Sequence, residues 1–222
     1  MKHFHFEKLG STQDKAFELL VEHEPPFFVT ADYHVSPRGR RGRAWHYEQG
    51  RSLAFSLACQ MPVTGLEGLS LVVGLSLRNY LADENLKLKW PNDLMLNDSK
   101  VGGVLIESRS RPSSVADLAI GVGINCFDMS DESYKGIQRN INIDDLMIFL
   151  MRDLKDFENF GFSHFHRDFE GVLWKRGEEI DLVVEGELSR VLLKSVDEKG
   201  RLVTQDNTKL RLHLNAEIIH ES

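Results

Sequence analysis

Residues 86–107 read LKLKWPNDLMLNDSKVGGVLIE, and this stretch decides the class of fold. Leu86 to Lys89, Leu94 to Leu96 and Val101 to Glu107 are three short apolar runs separated by turn residues, the pattern of strands rather than of a helix. Pro91, Asn92 and Asp93 supply the first turn. Upstream, Leu66 to Leu81 is long and apolar, with Leu69, Val72, Val73, Leu77 and Tyr80 at helical spacing. A buried helix is expected there despite Gly74. Downstream, Leu118 to Val122 adds another strand. Strands and helices mixed in this way predict an α+β fold, a mixed β-sheet with helices packed against it.

The N-terminal third fits the same class. Phe4 and Phe6 alternate with His3, His5 and Glu7, which reads as a strand. Ser11 is expected to cap a helix, with Asp14 three residues on as a short variant of the capping box. Ala16, Phe17 and Leu20 form its apolar face, and Pro25-Pro26 stops it. Phe27 to Ala31 is a short strand. Leu53, Phe55, Leu57 and Cys59 alternate with small or polar residues as a half-buried one.

Residues 127–140 are polar and without period, so they form a loop. Asn142 begins a helix through Leu146, Phe149, Leu150, Leu154 and Phe157, and a second helix is expected over Ser163 to Lys175. After Gly177 the texture changes. Ile180, Leu182 and Val184, then Val191 and Leu193, then Leu202 with Val203, then Leu210, Leu212 and Leu214 mark four or five short strands. They predict a small C-terminal β-barrel and a domain boundary dividing 1–176 from 177–222.

With 222 residues the chain is long enough to bury a sizeable core. Lys plus Arg is 27 against 34 for Asp plus Glu, a formal net charge of −7. An acidic balance argues against a general nucleic-acid binder. Cys59 and Cys126 make no disulfide framework and fit free thiols in a reducing cytoplasm. No segment reaches the roughly 18 unbroken apolar residues of a membrane span, and no secretory signal precedes the first strand.

Within this acidic chain, Arg38-Gly39-Arg40-Arg41-Gly42-Arg43 packs four arginines into six residues after a strand. The glycines let the backbone approach a ligand, and guanidinium groups bind phosphate and carboxylate in a bidentate manner. A solvated basic loop is the plainer reading of the same residues. Lys89-Trp90-Pro91-Asn92-Asp93 is either a simple turn or a rigid mount for a carboxylate and an amide. Lys100-Val101-Gly102-Gly103 places a point charge before paired strand glycines, which suit a close backbone or ligand. Gly121-Val122-Gly123-Ile124-Asn125 lacks the third glycine of a dinucleotide fingerprint, and no Walker A pattern occurs. The pairs His3/His5 and His164/His166 have no third ligand nearby, so no protein-bound metal is expected.

These elements, in this order, resemble the biotin–protein ligases, in the monofunctional form without an N-terminal DNA-binding domain. Ser11-Thr12, the arginine loop with Trp45 after it, Lys89-Trp90-Pro91-Asn92-Asp93, Lys100-Val101-Gly102-Gly103 with Glu107, and Gly121-Val122-Gly123-Ile124-Asn125 carry the likeness over residues 9–126. The resemblance implies a catalytic domain like that of class II aminoacyl-tRNA synthetases, followed by an SH3-like barrel. It implies two half-reactions: biotin and magnesium-ATP give biotinyl-5′-AMP and pyrophosphate, and a lysine of a biotin carboxyl carrier protein then takes the biotinyl group and releases AMP.

By position, the resemblance makes Lys100, Arg38, Arg40 and Asp93 the catalytic set. Arg38 and Lys100 would hold the biotin carboxylate and the adenylate phosphate. Ser11, Thr12, Gln13 and His34 would contact the biotin rings, and Gly103, Gly121 and Val122 would line their slot. Arg40, Arg43, Trp45, Asn92, Asp93 and Asn125 would serve ATP, which brings its own Mg2+. The arginine loop is expected to order over the ligand. Three positions depart from the family: His34 for a usual glutamine, Pro37 for a usual glycine and Gln13 for a common asparagine. The implied enzyme is cytoplasmic, binds no DNA or membrane, and pairs as a homodimer through a strand edge. A lipoate or octanoate ligase or transferase of the same fold is the nearest alternative, and an anion- or RNA-binding module is the alternative of another class.

Overall fold

The alternation at the N-terminus forms a strand because Phe4 and Phe6 turn inward onto a helix, while their neighbours face outward. The structure, a computed structural model, describes residues 1–112 and 114–219. In chain order its elements are β1 (Lys2–Leu9), α1 (Thr12–Leu19), β2 (Phe27–His34), β3 (Ser52–Pro62), α2 (Leu69–Leu81), β4 (Leu86–Lys89), β5 (Asp93–Leu96), β6 (Ser99–Ser110) and β7 (Val115–Asn125). There follow α3 (Ile143–Phe160), α4 (His166–Val172), β8 (Glu179–Val184), β9 (Glu187–Val196), β10 (Leu202–Asp206), β11 (Lys209–His213) and β12 (Glu217–Ile218).

The chain divides into two units, Met1–Leu66 with Lys100–Asn142, and Glu67–Ser99 with Ile143–Ser222. In the first, the strands lie in the order β1, β2, β3, β7, β6. β1 and β2 are parallel, joined by α1 as a crossover helix, and the remaining pairs are antiparallel, so the sheet is mixed. Ala16, Phe17 and Leu20 of α1 pack on Phe27, Val29, Ala58 and Ala119, with Phe4, Phe6 and Leu9 at the margin. This core holds the first turn of α1 over the middle of the sheet.

In the second unit, α2 is buried on most of its faces and packs on α3, α4 and the β4–β5 hairpin. Buried Leu146, Leu150, Leu154 and Phe157 form the facing stripe of α3. The helix expected over Ser163 to Lys175 is shorter: a 3-10 turn spans Phe162–His164, and α4 ends at Val172. Leu173 turns extended because the Trp174 amide bonds the Leu88 carbonyl, a strand-like tie that outcompetes another helical turn.

The five C-terminal strands form one sheet in the order β11, β10, β9, β8, β12, and among the described residues its edges do not pair with each other. It is an open sheet rather than a closed barrel.

Ser11 occupies the N-cap of α1, but its side chain makes no capping bond. Asp14 does not complete a capping box, because its carboxylate accepts from Arg38 instead. His3 and His5 both hydrogen-bond the Thr30 hydroxyl, at 2.7 and 2.9 Å, a structural use of the pair. Both cysteines are buried thiols. No helix among the described residues is long and apolar enough to cross a membrane.

Candidate active site

The end of β2 and the start of α1 are neighbours because β1 and β2 run parallel. His34 pairs with Leu9, and Val35 and Ser36 donate backbone hydrogen bonds to Leu9 and Gly10. This places His34 beside the turn that delivers Ser11, Thr12 and Gln13, all of them buried. Thr12 Oγ1 accepts from Ser56 Oγ at 2.8 Å.

Gln13 is held more firmly. Its Nε2 donates to the carbonyls of Leu105 (3.2 Å) and Ala119 (3.1 Å) and to Glu107 Oε2 (3.0 Å). Three acceptors fix the amide's orientation, so Oε1 is the remaining acceptor, buried and without a hydrogen bond. His34 repeats the pattern. It is 5% exposed, and its Nε2 is buried without a partner. Burial pushes the imidazole pKa below its usual value, partly offset by a hydrogen bond with the Ala31 backbone. That bond must use Nδ1 as donor, which fixes the neutral tautomer and leaves Nε2 as an acceptor. Tyr47 stands tilted against His34, with ring centroids 4.5 Å apart, and burial raises its phenol pKa.

The arginine stretch is a small hairpin. Arg38 and Ala44 form an antiparallel bridge, Gly39 and Trp45 donate to the carbonyls of Arg43 and Pro37, and residues 40–42 make a 3-10 turn. Arg41 and Gly42 both take positive φ there, 56° and 72°, which explains a glycine at the tip. Arg41 and Arg43 are exposed in this tip region and Arg40 is half-buried. Arg38 folds back: its Nη2 donates to Asp14 Oδ1 at 2.7 Å and lies 3.5 Å from Glu107 Oε2. The Asp14 hydrogen bond is the main reason the Arg38 guanidinium pKa rises above its usual value.

The floor is made by β6 and β7, where Gly103 pairs with Gly123 and Val104 with buried Val122. The space above two β7 glycines is filled by side chains. A Cβ on Gly121 would lie 3.0 Å from Gln13 Oε1, and one on Gly123 would lie 2.6 Å from Cζ2 of the Trp45 indole. Lys100 is exposed at the start of β6, two residues before Gly102. Asn125 ends β7, and its Nδ2 donates to the Lys135 carbonyl at 2.9 Å, seating the loop that follows.

One unit thus holds Ser11, Thr12, Gln13, His34, Arg38, Arg40, Arg43, Trp45, Lys100, Gly103, Gly121, Val122 and Asn125, whereas Asn92 and Asp93 belong to the other. In that unit the Trp90-Pro91-Asn92-Asp93 turn is anchored by buried Trp90, whose Nε1 donates to the Gly200 carbonyl at 2.9 Å. A cavity of about 10 Å³ beside it is lined by Ser70, Gly74, Lys89, Asn92, Asp93 and Phe169, among others. Sequence reasoning quoted Gly123 within a motif but gave it no site role, missed Tyr47, and gave Asp14 only a capping role. The spacing of Gly121 and Gly123 two residues apart in one strand, which puts both on one face, was the available signal for the first.

The model of the biotin/lipoate A/B protein ligase family matches residues 5–125, more than half of the chain. The chain belongs to this family. Its matched segment includes every site residue of the first unit. Among solved structures, this family member resembles the biotin protein ligase of Aquifex aeolicus in complex with biotin and ATP, with a TM-score of 0.83, 25% identity and 99% of each chain covered. The bifunctional ligase/repressor BirA of Escherichia coli is 27% identical over 229 residues, 95% of this chain and 71% of that protein. The biotin–[acetyl-CoA-carboxylase] ligase of Paracoccus denitrificans is 34% identical over 124 residues, 53% of this chain and 52% of that protein. The chain therefore spans about half the length of that relative and 71% of the BirA protein.

Proposed function

We infer that this chain is an ATP-dependent biotin ligase, which activates biotin as biotinyl-5′-AMP and transfers it to a lysine of a biotin carboxyl carrier protein. The observation that carries the reading is the pair of buried, unpartnered acceptors, Gln13 Oε1 and His34 Nε2, in a unit that also presents Arg38 and Lys100. A buried acceptor left unmatched costs roughly 1–3 kcal/mol, so a ligand bearing donors is favoured. The ureido ring of biotin carries two N–H donors and its tail a carboxylate. Lipoate and octanoate carry no such donors, and a site built to hydrogen-bond discriminates against ligands that lack them. The names of the Paracoccus denitrificans relative and the Aquifex aeolicus structure as biotin ligases point the same way.

In this proposal, Ser11, Thr12, Gln13 and His34 hold the ureido ring over Gly103, Gly121 and Val122. Arg38 and Lys100 bring the biotin carboxylate to the α-phosphate and stabilise the charge that develops as pyrophosphate leaves. Arg40 and Arg43 take the phosphates, Trp45 the adenine, and Asn125 the adenylate. Mg2+ arrives on the nucleotide. Asn92 and Asp93 serve the nucleotide and the incoming lysine, with Asp93 withdrawing its proton. Residues 1–176 form the catalytic domain, and the sheet of 177–222 is its SH3-like module. The enzyme works in the cytoplasm, as a homodimer joined through a strand edge.

His34 offers a direct check. His34→Ala is expected to weaken biotin binding about three- to tenfold, the worth of one net hydrogen bond, and to leave ATP binding nearly unchanged. Calorimetry with each ligand decides it, and equal losses would refute the placement. The pH dependence follows from the lowered imidazole pKa. The folded state and the biotin complex both need neutral His34, so stability is full above about pH 6.5 and falls as pH drops below it, while biotin affinity falls only below the lowered pKa of the folded protein. His34→Gln should remove this acid loss of biotin affinity.

A further inference from the structure

Arg38 is seated on two carboxylates from different elements. Asp14 from α1 and Glu107 from β6 both approach the same nitrogen, Nη2, at 2.7 and 3.5 Å. A guanidinium offers two bidentate edges, Nε with Nη2 and Nη1 with Nη2, and Nη2 is common to both. With Asp14 on Nη2 and Glu107 facing the same nitrogen, an incoming carboxylate or phosphoryl group competes with these side chains for either edge. Glu107 is itself held by Gln13 Nε2, which is tied to the Leu105 and Ala119 carbonyls. The seat is thus built on α1 and β6 and not on the loop.

We propose that Asp14 and Glu107 are positioning residues that form an internal anion seat for Arg38, so that the carboxylate of the ligand binds by displacing them. The inference rests on the biotin reading. The pair is partly exposed, with side chains 40% and 51% accessible, which sets its strength in the modest range of surface ion pairs.

The test compares biotin with biotin amide, which keeps the rings and lacks the negative charge. Calorimetric titration of each into wild type, Asp14→Asn and Asp14→Asn/Arg38→Ala separates the terms. Asp14→Asn is expected to bind biotin about two- to fivefold more tightly, the range an exposed ion pair supplies, with no change for biotin amide. The gain should vanish when Arg38 is also alanine. Glu107→Gln should act in the same direction and less, because its contact is longer. Weaker or unchanged biotin binding in Asp14→Asn, or an equal gain for the amide, overturns the seat. Failure of the wild type to bind either compound overturns the biotin reading itself, and the seat with it.

Discussion

Lys100→Ala is expected to lower biotin-dependent pyrophosphate release by about 10²- to 10³-fold, the usual consequence of removing one preorganised donor from a developing charge. The chemistry brings two anions together, the biotin carboxylate and the α-phosphate, and a fixed cation stabilises the transition state more than either reactant. Lys100 stands at the second residue of a twelve-residue strand. Two residues on, Gly102 packs so closely on β7 that a Cβ would meet the Gly123 carbonyl at 2.8 Å, so the strand cannot shift to re-aim a replacement. The loss should fall mainly on kcat, because the ureido contacts and Arg38 remain. Lys100→Arg should recover part of the rate, since it restores the charge at a different length. An alanine variant with wild-type kcat would remove Lys100 from the mechanism.

Gly123→Ala is the second large effect. Its methyl would stand 2.6 Å from Cζ2 and 2.7 Å from Cε2 of Trp45, distances no pair of carbons tolerates. The backbone cannot yield, because Gly123 pairs with Ala54 of β3 on one side and Gly103 of β6 on the other. The half-buried indole must move instead. Loss of a base–aromatic stack costs roughly 1–3 kcal/mol, so the KM for ATP should rise about 5- to 150-fold. Biotin affinity and thermal stability should change little, since the ureido contacts and the core beneath are untouched. An unchanged KM for ATP would mean that Trp45 does not carry the adenine.

Most of the fold was legible because its elements are locally consistent. The long apolar run of α2, the alternation of β3 and the short strands from 86 to 125 each declare their own period. What was not legible depended on partners distant in sequence. α4 stops at Val172 because Trp174 answers Leu88, more than eighty residues back. Asp14 abandons its capping role for Arg38, a bond across 24 positions. The strands after Gly177 announced themselves, but whether they close is a matter of edge pairing that alternation does not encode.

The site divides in the same way. The arginine run, Lys100 and the glycines stood out by composition and spacing. Their geometry did not: the run is a hairpin seated on Asp14 and Glu107, and the glycines make room for Gln13 and Trp45. The two unpartnered acceptors, the strongest argument for biotin, appear only once burial is known.

The most direct measurement is pyrophosphate release from magnesium-ATP by the purified protein, with biotin, lipoate and octanoate offered separately at single-turnover enzyme concentrations. Release with biotin alone, lost in Lys100→Ala, is the predicted result. Release with lipoate or octanoate in its place, or none with any of the three acids, would contradict the assignment of this chain as a biotin ligase.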